Sequence, residues 1–142
     1  MLVEVYSDGS GTSFGNTGGW AFVVLVDGVK VHEASGSAKD ATNNTMELTA
    51  ALEGLKYVAK DMKYNGADVV LISDSQLVLG FATGRWVCKK LHLALLANSL
   101  NKHFTELKAT DRWERGHQGE PNNERCDELA KNARQSITGG KP

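Results

Sequence analysis

Four acids stand out by where they fall: Asp8, Glu47, Asp74 and Asp127. Asp8 closes the alternating run Leu2-Val3-Glu4-Val5-Tyr6-Ser7 and is followed by Gly9-Ser10-Gly11. Such a pattern delivers one carboxylate to the end of a strand with open space in front of it. Asp74 follows the continuous apolar run Val69-Val70-Leu71-Ile72, and Glu47 and Asp127 each lie near the start of a helical pattern. Taken singly, each has a plain structural explanation. Asp8 before Gly9 suits a turn, Glu47 three residues after Asn44 suits a capping box, Asp74 suits a helix N-cap, and Asp127 suits the positive end of a helix dipole.

Together the four acids ask for something more. Clustered carboxylates repel and raise one another's pKa unless a cation compensates. Hard oxygen ligands suit Mg²⁺, or Mn²⁺ in its place. Two such ions about 4 Å apart can activate a water and stabilise the leaving oxygen of a phosphodiester. No Ser–His pairing is evident, and Cys88 and Cys126 fit neither a metal spacing nor a disulfide framework. Phosphodiester hydrolysis therefore fits better than acyl transfer or zinc chemistry.

These acids need elements to hold them. The first strand is followed by a glycine-rich loop, Gly9 to Gly19, without the Lys-Ser/Thr and following helix of a phosphate-binding loop. Trp20–Val26 and Val29–Ser35 read as strands joined by Asp27-Gly28, a two-residue hairpin signal. Gly36 to Asn44 reads as a loop. Leu48, Ala51, Leu52, Leu55, Val58 and Met62 share one face of a helix spanning Thr45–Met62. The strand Val69–Ile72 is apolar throughout, as expected when both faces are buried. A short helix from Gln76 to about Thr83, a helix over Leu91–Phe104, a strand Asp111–Arg115 and a helix from Asn123 complete the chain. Cys126, Leu129, Ala130, Ala133 and Ile137 form the last helix's apolar face.

The expected class is α/β: a five-stranded mixed sheet, its first three strands an antiparallel meander and its last two parallel to the first, flanked by about four helices. A helical crossover places Asp8 and Asp74 at the same end of neighbouring strands, where open α/β sheets bind ligands. One domain over residues 1–138 is expected, with 139–142 as a short tail.

Composition narrows the classes further. Hydrophobic residues are 41% and charged residues 23% of the 142, which argues against disorder. No apolar run is long enough for a membrane span, and the N-terminus lacks a signal-peptide pattern. A monomer in a reducing cytoplasm is expected. The formal net charge is −1, so bulk charge does not announce nucleic-acid binding. Its distribution does more: from Ser75 to Thr105 there is no acid, while Arg85, Lys89, Lys90 and Lys102 fall there. The pattern suits either a solvated helix face or a local track for phosphates on a mildly acidic protein.

Four blocks, in order, resemble the signatures of type 1 ribonuclease H. They are Tyr6-Ser-Asp-Gly-Ser10, Thr42-Asn-Asn-Thr-Met-Glu-Leu48, Ser73-Asp-Ser-Gln76 and the run from Gly116 to Ala130 with its Asn-Glu-x-x-Asp. The resemblance implies an endonuclease that hydrolyses the RNA strand of RNA–DNA hybrids with two Mg²⁺ ions (Mn²⁺ being possible), leaving 5′-phosphate and 3′-hydroxyl ends. It implies that Asp8, Glu47, Asp74 and Asp127 are metal-binding catalytic acids, and that the loop residue His117 assists proton transfer or product release. It assigns Gly9, Ser10, Asn16, Asn43 and Gln76 to reading the minor groove, where 2′-hydroxyls distinguish RNA, and Thr42 to a phosphate of the DNA strand. Thr83-Gly-Arg-Trp-Val-Cys-Lys-Lys90 leaves no room for the basic handle of many bacterial members. The chain thus resembles the handle-less subset, with Trp86 expected on a DNA sugar and Arg85, Lys89 and Lys90 on phosphates. A catalytically silent hybrid-binding module and an integrase-like DNA nuclease of the same superfamily are the alternatives.

Overall fold

The structure, a computed structural model, describes residues 1–11, 17–115 and 119–138. The expected tail at 139–142 lies outside them. The strands are β1 (Leu2–Gly11), β2 (Thr17–Val26), β3 (Val29–Lys39), β4 (Asp68–Ser73) and β5 (Thr110–Trp113). The helices are α1 (Asn43–Lys60), α2 (Gln76–Thr83), α3 (Leu91–Glu106) and α4 (Pro121–Thr138), with a 3-10 turn at Met62–Tyr64. The sheet order is β3-β2-β1-β4-β5. β1, β2 and β3 are antiparallel in sequence, and β4 and β5 run parallel to β1. This is the expected mixed sheet.

Alternation along β1 splits the core in two. Val3 and Val5 face α1, packing with Phe22, Val24, Leu48, Leu55 and Val58, and with Leu93 and Leu100 of α3. Tyr6 faces the other way, into a smaller cluster with Val23, Leu25, Ile72 and Cys126 of α4. The β2–β3 turn has Asp27 at φ 49° and Gly28 at φ 84°, the left-handed pair that a tight hairpin needs. Asp27 also pins the start of β1, its Oδ1 accepting the Leu2 N–H at 2.8 Å.

The strands run further than their composition suggests. β1 reaches Gly11, β2 starts at Thr17, and β3 extends to Lys39 through residues expected to be loop. The reason lies in the glycines. A Cβ on Gly9 would sit 2.3 Å from the Glu47 backbone nitrogen, and one on Gly11 would sit 2.5 Å from that of Asn43. On Gly19 it would meet the backbone of Ala130 and Arg134. The glycines are therefore slots in the sheet against which the backbones of α1 and α4 lie.

Helix α1 also starts earlier than expected. Its N-cap is Thr42, whose Oγ1 accepts the Thr45 N–H at 3.1 Å, while Thr45 Oγ1 accepts the Thr42 N–H at 2.9 Å. This reciprocal box replaces the expected Asn44–Glu47 box. At the other end the helix stops at Lys60, where Asp61 caps the 3-10 turn by accepting the Lys63 N–H. Met62 is thereby turned out to solvent, 81% exposed, and Tyr64 is buried instead.

Candidate active site

The parallel register pairs Ser7 with Ser73, so Asp8 and Asp74 follow side by side at the carboxyl ends of β1 and β4. β4 ends there, while β1 continues for three more residues beyond Asp8. The strand β1 extension keeps its pairing to β2, but the N–H groups of Gly9 and Gly11 no longer have β4 to meet. Asp8 Oδ1 accepts the first at 2.9 Å and Asn43 Oδ1 accepts the second at 3.3 Å. The strand edge left by β4 thus finds its partners in side chains.

Glu47 is the fifth residue of α1 and lies past its first turn. Thr45 takes the capping role that would have explained Glu47, and the carboxylate is left to face the strand ends. Carboxylate oxygens of Asp8, Glu47 and Asp74 lie within 4.8 Å of one another, close enough to hold a metal ion. Asp8 is 7% exposed, and its pKa is pushed up to about 8, first by burial and then by Asp74, Asp127 and Glu47. Glu47 is pushed up to about 7, by burial and then by Asp74. Two acids driven this way in a water-poor corner form a site that gains by binding a cation.

Asp127 is the seventh residue of α4, so proximity to the helix start does not explain it; Glu124 is the acid in the first turn. It lies outside the close triad yet lines a small pit with Asp8, Asp74, Asn123 and Glu124. Its Oδ2 pairs with Lys131 at 3.1 Å, one helical turn on. Two residues earlier, Arg125 donates to both Glu33 carboxylate oxygens at 3.1 and 2.8 Å, anchoring α4 over edge strand β3. Glu120 caps α4 by accepting the Asn123 N–H, and Pro121 follows at a position where a missing N–H costs nothing. The pit holds about 20 Å³, room for a water or a small ion and none for a nucleotide.

The other expected residues divide by surroundings. Gly9 and Ser10 lie on the β1 extension, and Gln76 opens α2 with its side chain exposed. Thr42 is the α1 N-cap, and Asn43 bridges Gly11 and Glu47. Arg85 is held by Asp111 at 3.1 Å. Trp86 is 48% exposed, with one side lying on Gly80 and its ring edge-on to Phe81. Lys89 and Lys90 are exposed just before α3. Asn16 and His117 lie outside the described residues.

Some contributors escaped the sequence reading. Asn123 and Glu124 line the pit, and their spacing of four and three residues before Asp127 was the available signal. Lys131, four residues after Asp127, was legible in the same way. Trp113 was not: its indole N–H donates to the Asp74 carbonyl at 3.0 Å and pins that turn, a contact between β5 and the β4–α2 loop with no local signature. Cys126 is no nucleophile, since burial drives its thiol pKa far up.

A family model described as RNase H matches residues 2–135. The chain belongs to the RNase H family. Ribonuclease H of Geotalea uraniireducens (strain Rf4) is 36% identical, with 100% of both chains covered. Ribonuclease H of Pseudomonas entomophila (strain L48) is 35% identical, with 90% of each covered. Among solved structures, RNase H1 of the halophilic archaeon Halobacterium salinarum NRC-1 superposes with a TM-score of 0.79 at 27% identity, covering 94% of this chain and 97% of that one. LC11-RNase H1, solved in complex with an RNA/DNA hybrid, superposes with a TM-score of 0.83 over 96% of this chain and 99% of that one. At 21% identity it speaks for the fold. By family the chain is a nuclease of the ribonuclease H type. Among the described residues no helix is long and apolar enough to cross a membrane.

Proposed function

We propose that the chain is an endonuclease that hydrolyses the RNA strand of RNA–DNA hybrids and leaves 5′-phosphate and 3′-hydroxyl ends. The observation that carries this reading is the carboxylate triad of Asp8, Glu47 and Asp74, gathered within 4.8 Å in an RNase H chain. The donor set fits a hard divalent cation, Mg²⁺ or Mn²⁺: three carboxylates, two of them with raised pKa, and, among the described residues, neither Cys nor His in the cluster. Asp8, Glu47 and Asp74 would hold the metal, with Asp127 across the pit. Two bound ions would supply positive charge to the scissile phosphate and its attacking water.

The chain's own part is to place these groups. β1 fixes Asp8 between β2 and β4, α1 brings Glu47 over the strand ends, the Trp113 indole steadies the Asp74 turn, and Lys131 balances Asp127. Because the pit admits only a small ion or water, a duplex must lie across its mouth and present a phosphate edge. Gly9, Ser10, Asn16, Asn43 and Gln76 are assigned to the minor groove, and Thr42, Trp86, Lys89 and Lys90 to the DNA strand, with Arg85 a weaker phosphate contact because Asp111 competes for its guanidinium. His117 is assigned to proton transfer or product release. The protein is assigned a monomeric, cytoplasmic role.

A labelled hybrid incubated with Mg²⁺ tests this. The RNA strand should be cut and Asp8→Asn should lose cutting by at least about 10³-fold while keeping the wild-type circular dichroism. Binding without cutting by the wild type would point to a silent hybrid-binding module. Cutting of duplex DNA would point to an integrase-like nuclease.

A further inference from the structure

Asn43 makes two contacts that no minor-groove role requires. Its Oδ1 accepts the Gly11 N–H at 3.3 Å, and its Nδ2 donates to Glu47 Oε1 at 2.9 Å. The orientation of the amide is forced, because a backbone N–H needs an oxygen and a carboxylate needs a donor. The two ends of this bridge belong to different elements: β1 carries Asp8, and α1 carries Glu47. The backbone contact of Gly9 and Gly11 with α1 fixes the spacing of those elements, but it leaves the Glu47 side chain free to rotate. Three rotatable bonds separate its carboxylate from the helix, and among the described residues it is Asn43 that hydrogen-bonds to it.

We propose that Asn43 is a positioning residue for Glu47, holding its carboxylate at the divalent-cation site from an anchor on the end of β1. The proposal rests on the ribonuclease H reading and sharpens it. The Asn43 amide serves the metal-binding acid, and its contribution to cleavage is made through Glu47, ahead of any contact with the groove. The capping box supports this division of labour. Thr42 and Thr45 satisfy the helix start between them, so Asn43 and Glu47 are both released from capping and can pair with each other one turn apart.

The test uses the full chain with Asn43→Asp and Asn43→Ala. Asn43→Asp keeps the acceptor for Gly11 and removes the donor to Glu47. Mn²⁺ binding is measured by calorimetry on the protein alone, and kcat and KM are measured on a labelled hybrid. If the wild type fails to cut hybrids, the ribonuclease H reading fails, while the calorimetry still judges the role of Asn43. The expected result is a loss of Mn²⁺ affinity and of kcat by about 10- to 100-fold, whatever the groove contact of Asn43 adds to KM. The same loss should vanish in a Glu47→Gln background, because Asn43 acts through that carboxylate. Wild-type Mn²⁺ affinity with a raised KM would overturn the proposal in favour of groove reading. Equal losses with and without Glu47 would overturn it in favour of a purely structural role. Should Asn43→Asp fail to fold, Asn43→Ala gives the same readings.

Discussion

Asp8 is an acid held in a place that disfavours its charge. Its pKa of about 8, against an ordinary 3.8, means that the metal-free fold binds a proton more tightly than the unfolded chain does. Between those values the native state carries more protons, so stability falls as pH rises. The stabilisation is complete below the unfolded value and is lost as pH passes through the folded one. In EDTA, urea unfolding should therefore show lower stability at pH 8.5 than at pH 5. Asp8→Asn should remove most of that slope, raising stability at pH 8.5 by about 1–3 kcal/mol, and Mg²⁺ should restore the wild type at the same pH. A flat profile in EDTA would show that the three carboxylates do not burden the fold. Asp8 was legible because its partners were: an alternating strand and an apolar strand each ended in an acid, and two helix patterns each carried one near the start. Glu47 carried a plain structural explanation that the fold removes. Its distance from Asn44 resembled a capping box, whereas Thr42 and Thr45 form the box and leave the acid to the site.

At the level of elements, the glycine-rich stretch was the hardest to read. By composition Gly9 to Gly19 is a loop, since glycine weakens a strand by losing more chain entropy and packing nothing. Packing outweighs propensity here. At Gly9, Gly11 and Gly19 the missing Cβ lets a helix backbone touch the sheet, a long-range contact that no local pattern encodes. The consequence is testable. Gly9→Ala would place a methyl 2.3 Å from the Glu47 nitrogen and 2.4 Å from the Met46 carbonyl carbon, so the first turns of α1 must back away. We expect a loss of about 1–3 kcal/mol in urea unfolding, together with a fall in hybrid cleavage, because the displaced turn carries Glu47. Gly28→Ala is the control. It meets nothing within 4 Å but holds φ at +84°, so it should cost about 1 kcal/mol of backbone strain and leave cleavage unchanged. If both variants lose cleavage equally, the slot has no special role in placing the acid.

The whole molecule must attract a polyanion with a net charge of −1 and a cluster of carboxylates at its centre. Long-range attraction cannot come from the total, so it must come from where the cations stand. On the proposed reading the acid-free segment from Ser75 to Thr105 supplies them, but not equally. Arg85 is paired with Asp111, which lies outside that segment in sequence and beside it in space, so its charge is largely spent within the protein. Lys89 and Lys90 are exposed and have no ion pair among the described residues. In sequence Arg85 groups with the two lysines, because a partner 26 residues away leaves no trace in local charge. The fold separates them. Hybrid affinity measured in EDTA against salt should show it: Lys89→Ala/Lys90→Ala should flatten the log–log slope by about 2, one for each phosphate that a lysine no longer neutralises. Arg85→Ala should change the slope by much less and affect thermal stability only slightly, as expected of an exposed ion pair. An unchanged slope for the lysine pair would move the phosphate track elsewhere on the surface. A large slope change for Arg85→Ala would mean that phosphate outcompetes Asp111 for the guanidinium.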